Sequence, residues 1–363
     1  MKKITSRQLM IFYCIYSFAI KFLMLPQLLS ERAGADAWIS AAVGTVLELV
    51  MLFIVLQVLS MQRDTDIYSG LRKNVRPAGA KVVMGFILAL FLLQIFILTR
   101  QAYSLLNDNL FDNLSPRLFA IPMLVLAVFF CFMHPKAFFR GGEIFYVFII
   151  IGVALSVFPA LGQIQPAEVL PVGANGASSI FGGAFRNLIY FESAAFLVMF
   201  AGDVEITKHF RKKFITLAGV IGGLFVFFVF MFYALFGPLA PTKSLAIANF
   251  TLYSSYLTQG GRLDWVLICI WLLLLILRFC VTFYCAFACV RYITGVKNRA
   301  GVIAAALAVF IYTISITVFK SQTMLGAFTD GAAWVILVLY IAIPVGLYVN
   351  ALVNKKVSRH PRH

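Results

Sequence analysis

No stretch of this chain is polar enough to build a soluble domain. Charged residues make up only 12% of 363, acids are scarce at 14 against 30 Lys and Arg, and 62% of the chain is hydrophobic. Function must therefore sit among apolar segments. Histidine is nearly absent: His134, His209, His360 and His363 fall in loops or the tail, which argues against a histidine proton relay through a membrane. Of the six cysteines, Cys14, Cys269, Cys280, Cys285 and Cys289 lie inside apolar segments and Cys131 near the end of one, so no disulfide framework is expected. Cys285 and Cys289 share a helix face, but no His or acid stands near them in sequence, and packing explains them better than a metal. There is no Walker-type loop, no GxSxG elbow and no HExxH, and Gly182-Gly183 alone is too little for a phosphate site. The expectation is no enzyme, no cofactor and no metal.

What the chain does have is apolar segments long enough to cross a hydrocarbon core of about 30 Å. Ten are read: 7–30, 37–60, 81–107, 118–133, 143–162, 180–203, 214–237, 263–291, 300–319 and 331–353. The gaps after segments two, four, six and eight, with both chain ends, hold twenty-one Lys and Arg, among them Lys3, Arg63, Arg72, Arg140, Arg211, Lys297 and Arg359. The other gaps hold five: Arg32, Arg117, Lys243, Arg262 and Lys320. Cytoplasmic loops retain positive charge, so both termini are expected in the cytoplasm. The net charge of +16 is spread over six segments rather than gathered on one face, which fits anionic membrane lipid and not nucleic acid. The opening Met1-Lys2-Lys3, with Ala33-Gly34-Ala35 downstream, has a passing likeness to a secretory signal. Its apolar part is too long and holds Lys21 and Pro26, so it is expected to stay as the first helix.

Ten spans with both ends on one side divide into five and five, and an odd number per half gives the halves opposite topology. The expected fold is all-α and integral to the membrane: one polytopic domain over 1–363, with repeat one at about 7–162, repeat two at about 180–353 and a cytoplasmic tail at 354–363. Inverted-repeat transporters of the leucine-transporter type interrupt the first helix of each half, here helices one and six. Ser17 to Lys21 and Pro26 mark the first interruption; Asn187, Glu192 and Ser193 mark the second. Between spans, Ser244 to Tyr256 reads as a short helix lying across the outer surface, 61–80 as an interfacial amphipathic turn, and 163–179 as a loop.

Ionisable groups inside spans are the informative residues, since each costs about 2.5 to 3.5 kcal/mol at a helix centre. Those well inside the spans are Lys21, Glu48, Arg100, Glu192 and Arg278, on helices one, two, three, six and eight. Helices one, three, six and eight enclose the central site in folds similar to the leucine transporter, so four of the charges point at one cavity. A bland alternative is isolated ion pairs or snorkelling, above all for Arg100 near the outer end of its helix. Helical spacing aligns Ser17 with Lys21, Tyr103 with Arg100, and Thr282 with Arg278. Phe18, Tyr190 and Phe191 stand beside the interruptions and Ser193 follows Glu192, completing the candidate ligand-binding or coupling set. Lys21 and Glu192, at the two interruptions, are expected to pair with each other.

The residues then carry a family likeness. Ile4-Thr5-Ser6-Arg7-Gln8-Leu9, the stretch Phe22 to Pro26, Ala33-Gly34-Ala35-Asp36-Ala37-Trp38, Glu192 after Phe191, and Arg262-Leu263-Asp264 opening a long helix with a mid-span base resemble the spore germination permease family, the B subunit of nutrient germinant receptors. The resemblance implies a fold of the amino acid, polyamine and organocation superfamily, residence in the spore inner membrane or the bacterial cytoplasmic membrane, and sensing of a small nutrient. It also implies two partners, a larger A subunit and a lipoprotein C subunit. Signalling with ion gating as one output, or proton-coupled amino acid transport, are the functions it leaves in view.

Overall fold

The structure, a computed structural model, describes residues 3–62, 66–111, 115–207, 209–258, 263–296, 299–319 and 322–359. Lys2, Arg63, Lys208, Arg262, Lys297, Lys320, His360, Arg362 and His363, which enter the charge and histidine readings above, lie outside the described residues. Among the described residues the chain is all helix, with one isolated bridge between Ile4 and Val204 and no strand.

The first half contains α1 (Ser6–Lys21), α2 (Leu25–Ala33), α3 (Ala37–Met61), α4 (Ile67–Arg72), α5 (Pro77–Asn109), α6 (Pro116–Phe132) and α7 (Pro135–Val157). The second contains α8 (Gly176–Arg186), α9 (Ala195–Met199), α10 (Phe210–Phe236), α11 (Ala246–Thr258), α12 (Leu263–Thr294), α13 (Ala300–Phe319) and α14 (Gln322–Arg359). Among the described residues six stretches are long and apolar enough to cross a membrane: Leu25–Met61, Pro77–Asn109, Pro135–Gln163, Phe210–Thr242, Asp264–Thr294 and Val335–Asn354. The protein is thus a multi-pass membrane protein. Phe119–Phe132 and Ala300–Ser315 are shorter apolar helices.

Both expected interruptions are present. A complete capping box starts α1: the Thr5 hydroxyl accepts from Gln8 N, and the Gln8 side chain reaches back to Thr5 N. The helix then runs through Ser17 and Lys21 and breaks only at Phe22–Met24, one turn later than the polar residues suggest. Pro26 sits in the first turn of α2, where a missing N–H does no harm. The broken turn leaves carbonyls without helical partners, and α11 supplies them: Ala246 N donates to Leu23 O at 2.6 Å and Ile247 N to Phe22 O at 3.1 Å. The second interruption lies between α8 and α9, where Leu188–Phe191 forms a 3-10 turn and Glu192–Ala194 is non-helical.

One loop expectation is corrected. The helix near Ser244 to Tyr256 exists as α11, but it is inserted into the protein and does not lie across its surface. Ala246, Ile247 and Phe250 are fully buried, Ser254 Oγ donates to Ser156 O, and Trp271 Nε1 donates to Thr251 Oγ1 at 3.2 Å. Its N-terminal N–H groups are what the broken α1 lacks, and that demand draws the helix inward. The amphipathic turn at 61–80 contains α4, which is docked on α14 through its apolar side. Ile67 and Leu71 are buried, and Gly70 O accepts from the side chains of Asn350 and Asn354 on α14 at 3.0 Å each.

The Ala33 to Trp38 run has a structural role. Asp36 is fully buried; its carboxylate accepts from Gly173 N at 2.6 Å and Asn175 N at 3.2 Å, while Asn175 Nδ2 donates to Ala33 O at 2.7 Å. Gly34 has φ 53° with the Asn175 amide against it, a conformation and a closeness that a Cβ would oppose. The carboxylate thereby ties the loop preceding α8 to the α2–α3 corner. Asp36→Ala leaves two backbone donors unpaired, an expected loss of about 2 to 4 kcal/mol of stability. Denaturant unfolding of the purified protein measures it, and a change below half a kcal/mol would dissolve this tie.

Candidate functional site

The two interruptions meet in the interior, with α1 against the 3-10 turn at Leu188–Phe191, and the buried charges gather around them. The pairing differs from the expected Lys21–Glu192 bridge. Lys21 is paired with Glu48 of α3, with side chains 1% and 3% exposed, and Arg278 of α12 is paired with Glu192 at 2.9 Å, with side chains 0% and 8% exposed. The reason is directional: Lys21 ends α1 on the face toward α3, while Glu192 follows the 3-10 turn and meets the base on α12.

Each pair is embedded in further hydrogen bonds. Tyr13 donates its hydroxyl to Glu48 Oε1 at 3.2 Å, and the Lys21 ammonium lies 5.6 Å from the Phe191 ring centroid. Arg278 donates to the carbonyl of Tyr16 and, at 3.3 Å, to Gln94 Oε1, while its guanidinium lies 3.9 Å from the Tyr16 ring centroid. Gln94 Nε2 in turn donates to Ile189 O at 2.5 Å, binding α5 to the second interruption. Thr282 Oγ1 bonds Arg278 O at 2.9 Å and meets the Tyr16 hydroxyl at 3.2 Å. The result is two adjoining clusters that share α1: Lys21, Glu48 and Tyr13 toward α3, and Arg278, Glu192, Gln94, Tyr16 and Thr282 toward α5, α12 and the segment before α9.

Phe191 holds the shape of both clusters. Its buried ring packs onto Gly44 of α3, where a Cβ would collide with it, and its carbonyl accepts from Tyr340 Oη at 3.0 Å. Tyr190 is buried, with its N–H on Asn187 O at 3.0 Å. Phe18 stacks on Phe22 at 4.0 Å and lies 5.8 Å from Trp271, beside the first interruption. Ser17 Oγ, Ser193 Oγ, Thr45 Oγ1 and Arg278 Nε are buried polar atoms without a hydrogen-bond partner. Unused hydrogen-bonding capacity therefore stands at both interruptions.

Arg100 and Tyr103 are placed elsewhere. Both are half-buried on α5; the Tyr103 hydroxyl donates to Asn107 at 3.4 Å, and neither residue takes part in the ion pairs or hydrogen bonds of Lys21, Glu48, Glu192 and Arg278. The inward face of α5 carries Gln94 and Gln101 instead, two uncharged residues one heptad apart. Gln94, Tyr13 and Tyr16 escape a search restricted to ionisable mid-span groups. A search for amides and phenols at helical spacing from those charges would have found them.

On this geometry, comparison with known proteins gives a consistent result. The sequence profile of the family described as "Spore germination protein" matches residues 3–323. Among curated proteins no match is found. Among solved structures, the fold is similar to that of a manganese transporter from Eremococcus coleocola in two point-mutant forms. One superposes with a TM-score of 0.52 at 11% identity and the other with 0.51 at 10%, each over 94% of this chain and 77% of that one. At such identity the likeness concerns the fold alone.

Proposed function

The chain belongs to the spore germination protein family, and from that premise we propose that it is the membrane subunit of a germinant receptor, sensing a small amino acid-like nutrient where its interrupted helices meet. The observation that carries this is the closed, net-neutral quartet of Lys21, Glu48, Glu192 and Arg278 at the two interruptions. A zwitterion can exchange partners with such a quartet without burying net charge, whereas an ion of one sign cannot. The unpartnered Ser17 and Ser193 hydroxyls and Arg278 Nε offer it hydrogen bonds.

In this reading α3, α5, α6, α7, α10, α12, α13 and α14, with the interrupted helices α1–α2 and α8–α9, make ten crossings in two inverted sets of five. Both termini lie in the cytoplasm and the chain resides in the spore inner membrane. Binding acts by favouring one arrangement of the interruptions over another, which requires only that the ligand prefer that arrangement. α11 is the natural relay, because its first N–H groups bond the carbonyls of the first break. The A subunit and the lipoprotein C subunit receive the signal, with ion gating as one output.

A proton-coupled amino acid transporter is the second reading, favoured by the transporter fold and by Glu192 lining a cavity. Uptake separates the two. The isolated chain in proteoliposomes is expected to give no concentrative accumulation of labelled amino acids under a proton gradient, while the co-expressed complex binds one of a panel of amino acids and sugars. Concentrative uptake by the isolated chain would replace the receptor reading with the transporter.

A further inference from the structure

A cavity of about 440 Å³ runs along α1 on a side that none of Lys21, Glu48, Glu192 and Arg278 lines. α1 and the break after it form the floor, through Cys14, Ile15, Phe18 and Phe22, and α7 and α10, which both pack on α1, form the walls. The eight residues from Cys14 to Phe22 cover about 12 Å of helix. That is close to the depth of one leaflet, roughly 15 Å. The floor is buried or half-buried, while Ile150, Phe158, Leu224 and Phe227 at the rim are exposed. The cavity therefore opens sideways, between two stretches that are long and apolar enough to cross a membrane.

The lining decides what fills it. No charged side chain lines the cavity, and only Cys14 and Tyr146 bring a hydrogen-bond donor. Buried water needs two to four polar partners per molecule and does not find them along such a wall. Left empty, the lining would forfeit dispersion contacts over its whole length. A partner's helix is too thick: at about 10 Å across with its side chains, a 12 Å length of it needs roughly twice this volume. A free fatty acid gains nothing, because no cation stands there to hold its carboxylate. What a bilayer presents at this opening is hydrocarbon chain, thin and apolar enough to enter. We propose that the cavity holds one acyl chain of a membrane phospholipid, entering between α7 and α10 with its headgroup left outside. The chain lies against the Phe18–Phe22 stack, behind the first interruption, where Phe22 O accepts from Ile247 N. It braces the broken turn from the lipid side as α11 does from within. This requires only that the protein spans a membrane and stands without the sensing reading.

Photo-cross-linking of the full-length protein in lipid nanodiscs tests the proposal. One phosphatidylglycerol probe carries a diazirine midway along an acyl chain, and a second carries it on the headgroup. The chain probe is expected to label Cys14, Phe18 and Phe22, and the headgroup probe is not. Ala154→Phe narrows the opening on α7 and is expected to cut that labelling at least fivefold while leaving the label on exposed Phe129 of α6 unchanged. Leu224→Trp, on the α10 rim, is the second variant should the first fail to fold. No label on the floor residues, equal label from the headgroup probe, or undiminished label in the filled variants would overturn the proposal. Displacement of the chain probe by equimolar palmitate would give the site to a fatty acid, and shielding of the floor in the complex co-expressed with the proposed A and C subunits would give it to a partner helix; either would overturn it too.

Discussion

Lys21→Met is expected to destabilise the protein by about 3 to 5 kcal/mol, because it leaves the Glu48 carboxyl group in the interior without its counter-ion and with only the Tyr13 hydroxyl beside it. Glu48→Gln is expected to cost a similar amount from the other side, stranding an ammonium against the Phe191 ring. The double replacement removes both charges and should recover most of the loss, giving a coupling energy of at least 2 kcal/mol. Combining Lys21→Met with Glu192→Gln should show no comparable rescue, since Glu192 keeps Arg278 and not Lys21 as its partner. Unfolding in graded denaturant, for the three single and two double variants beside the parent, yields both cycles. A larger coupling for Lys21 with Glu192 than for Lys21 with Glu48 would refute the pairing.

That cycle touches what the sequence can and cannot reveal. A charge in the middle of an apolar segment is conspicuous, so Lys21, Glu48, Glu192 and Arg278 are all legible, as is their helical phase. The facing partner is not, because residue spacing fixes a direction on one helix and says nothing of its distance to another. Two acids and two bases admit two pairings, and the backbone decides between them. A break after Lys21 turns its side chain toward α3, and the 3-10 turn at Leu188–Phe191 delivers Glu192 to α12. Arg100 is equally conspicuous in the sequence, yet it stays outside both clusters because its face of α5 points away from Gln94 and Gln101.

The interruptions were legible as positions and not as consequences. Pro26, Ser17 and Lys21 announce trouble in helix one, and Asn187, Glu192 and Ser193 announce it in helix six. The fate of the freed carbonyls is non-local: the donors come from residues 246 and 247, more than two hundred positions away. The same demand explains why α11 is inside the protein. An apolar, uncharged thirteen-residue helix reads from sequence as surface-lying, but backbone groups broken inside a membrane protein must find partners, and the first turn of a helix has N–H groups to spare. α4 follows the same logic with side chains, where Asn350 and Asn354 at the end of α14 find an acceptor in Gly70 O.

The Arg278 centre should respond in a graded order. Arg278 holds Glu192, Gln94 and the Tyr16 carbonyl at once, so Arg278→Met removes three hydrogen bonds and leaves a carboxylate buried and unpaired. A loss of about 3 to 5 kcal/mol is expected. Glu192→Gln keeps an oxygen that can accept from the guanidinium, so the Gln94 and Tyr16 bonds survive and the loss should be smaller, about 2 to 3 kcal/mol. Arg278→Lys preserves the charge but replaces a planar fork with a point donor that cannot span three acceptors on three elements or lie flat 3.9 Å from the Tyr16 ring centroid. It should fall near 1 to 2 kcal/mol by the same arithmetic of one or two lost bonds. Near-equal losses for the methionine and lysine replacements would mean that the fork geometry, and not the ion pair, holds the centre together. Losses for Glu192→Gln exceeding those for Arg278→Met would mean that Arg278 is the more costly charge to strand, and that the cluster is organised around Glu192.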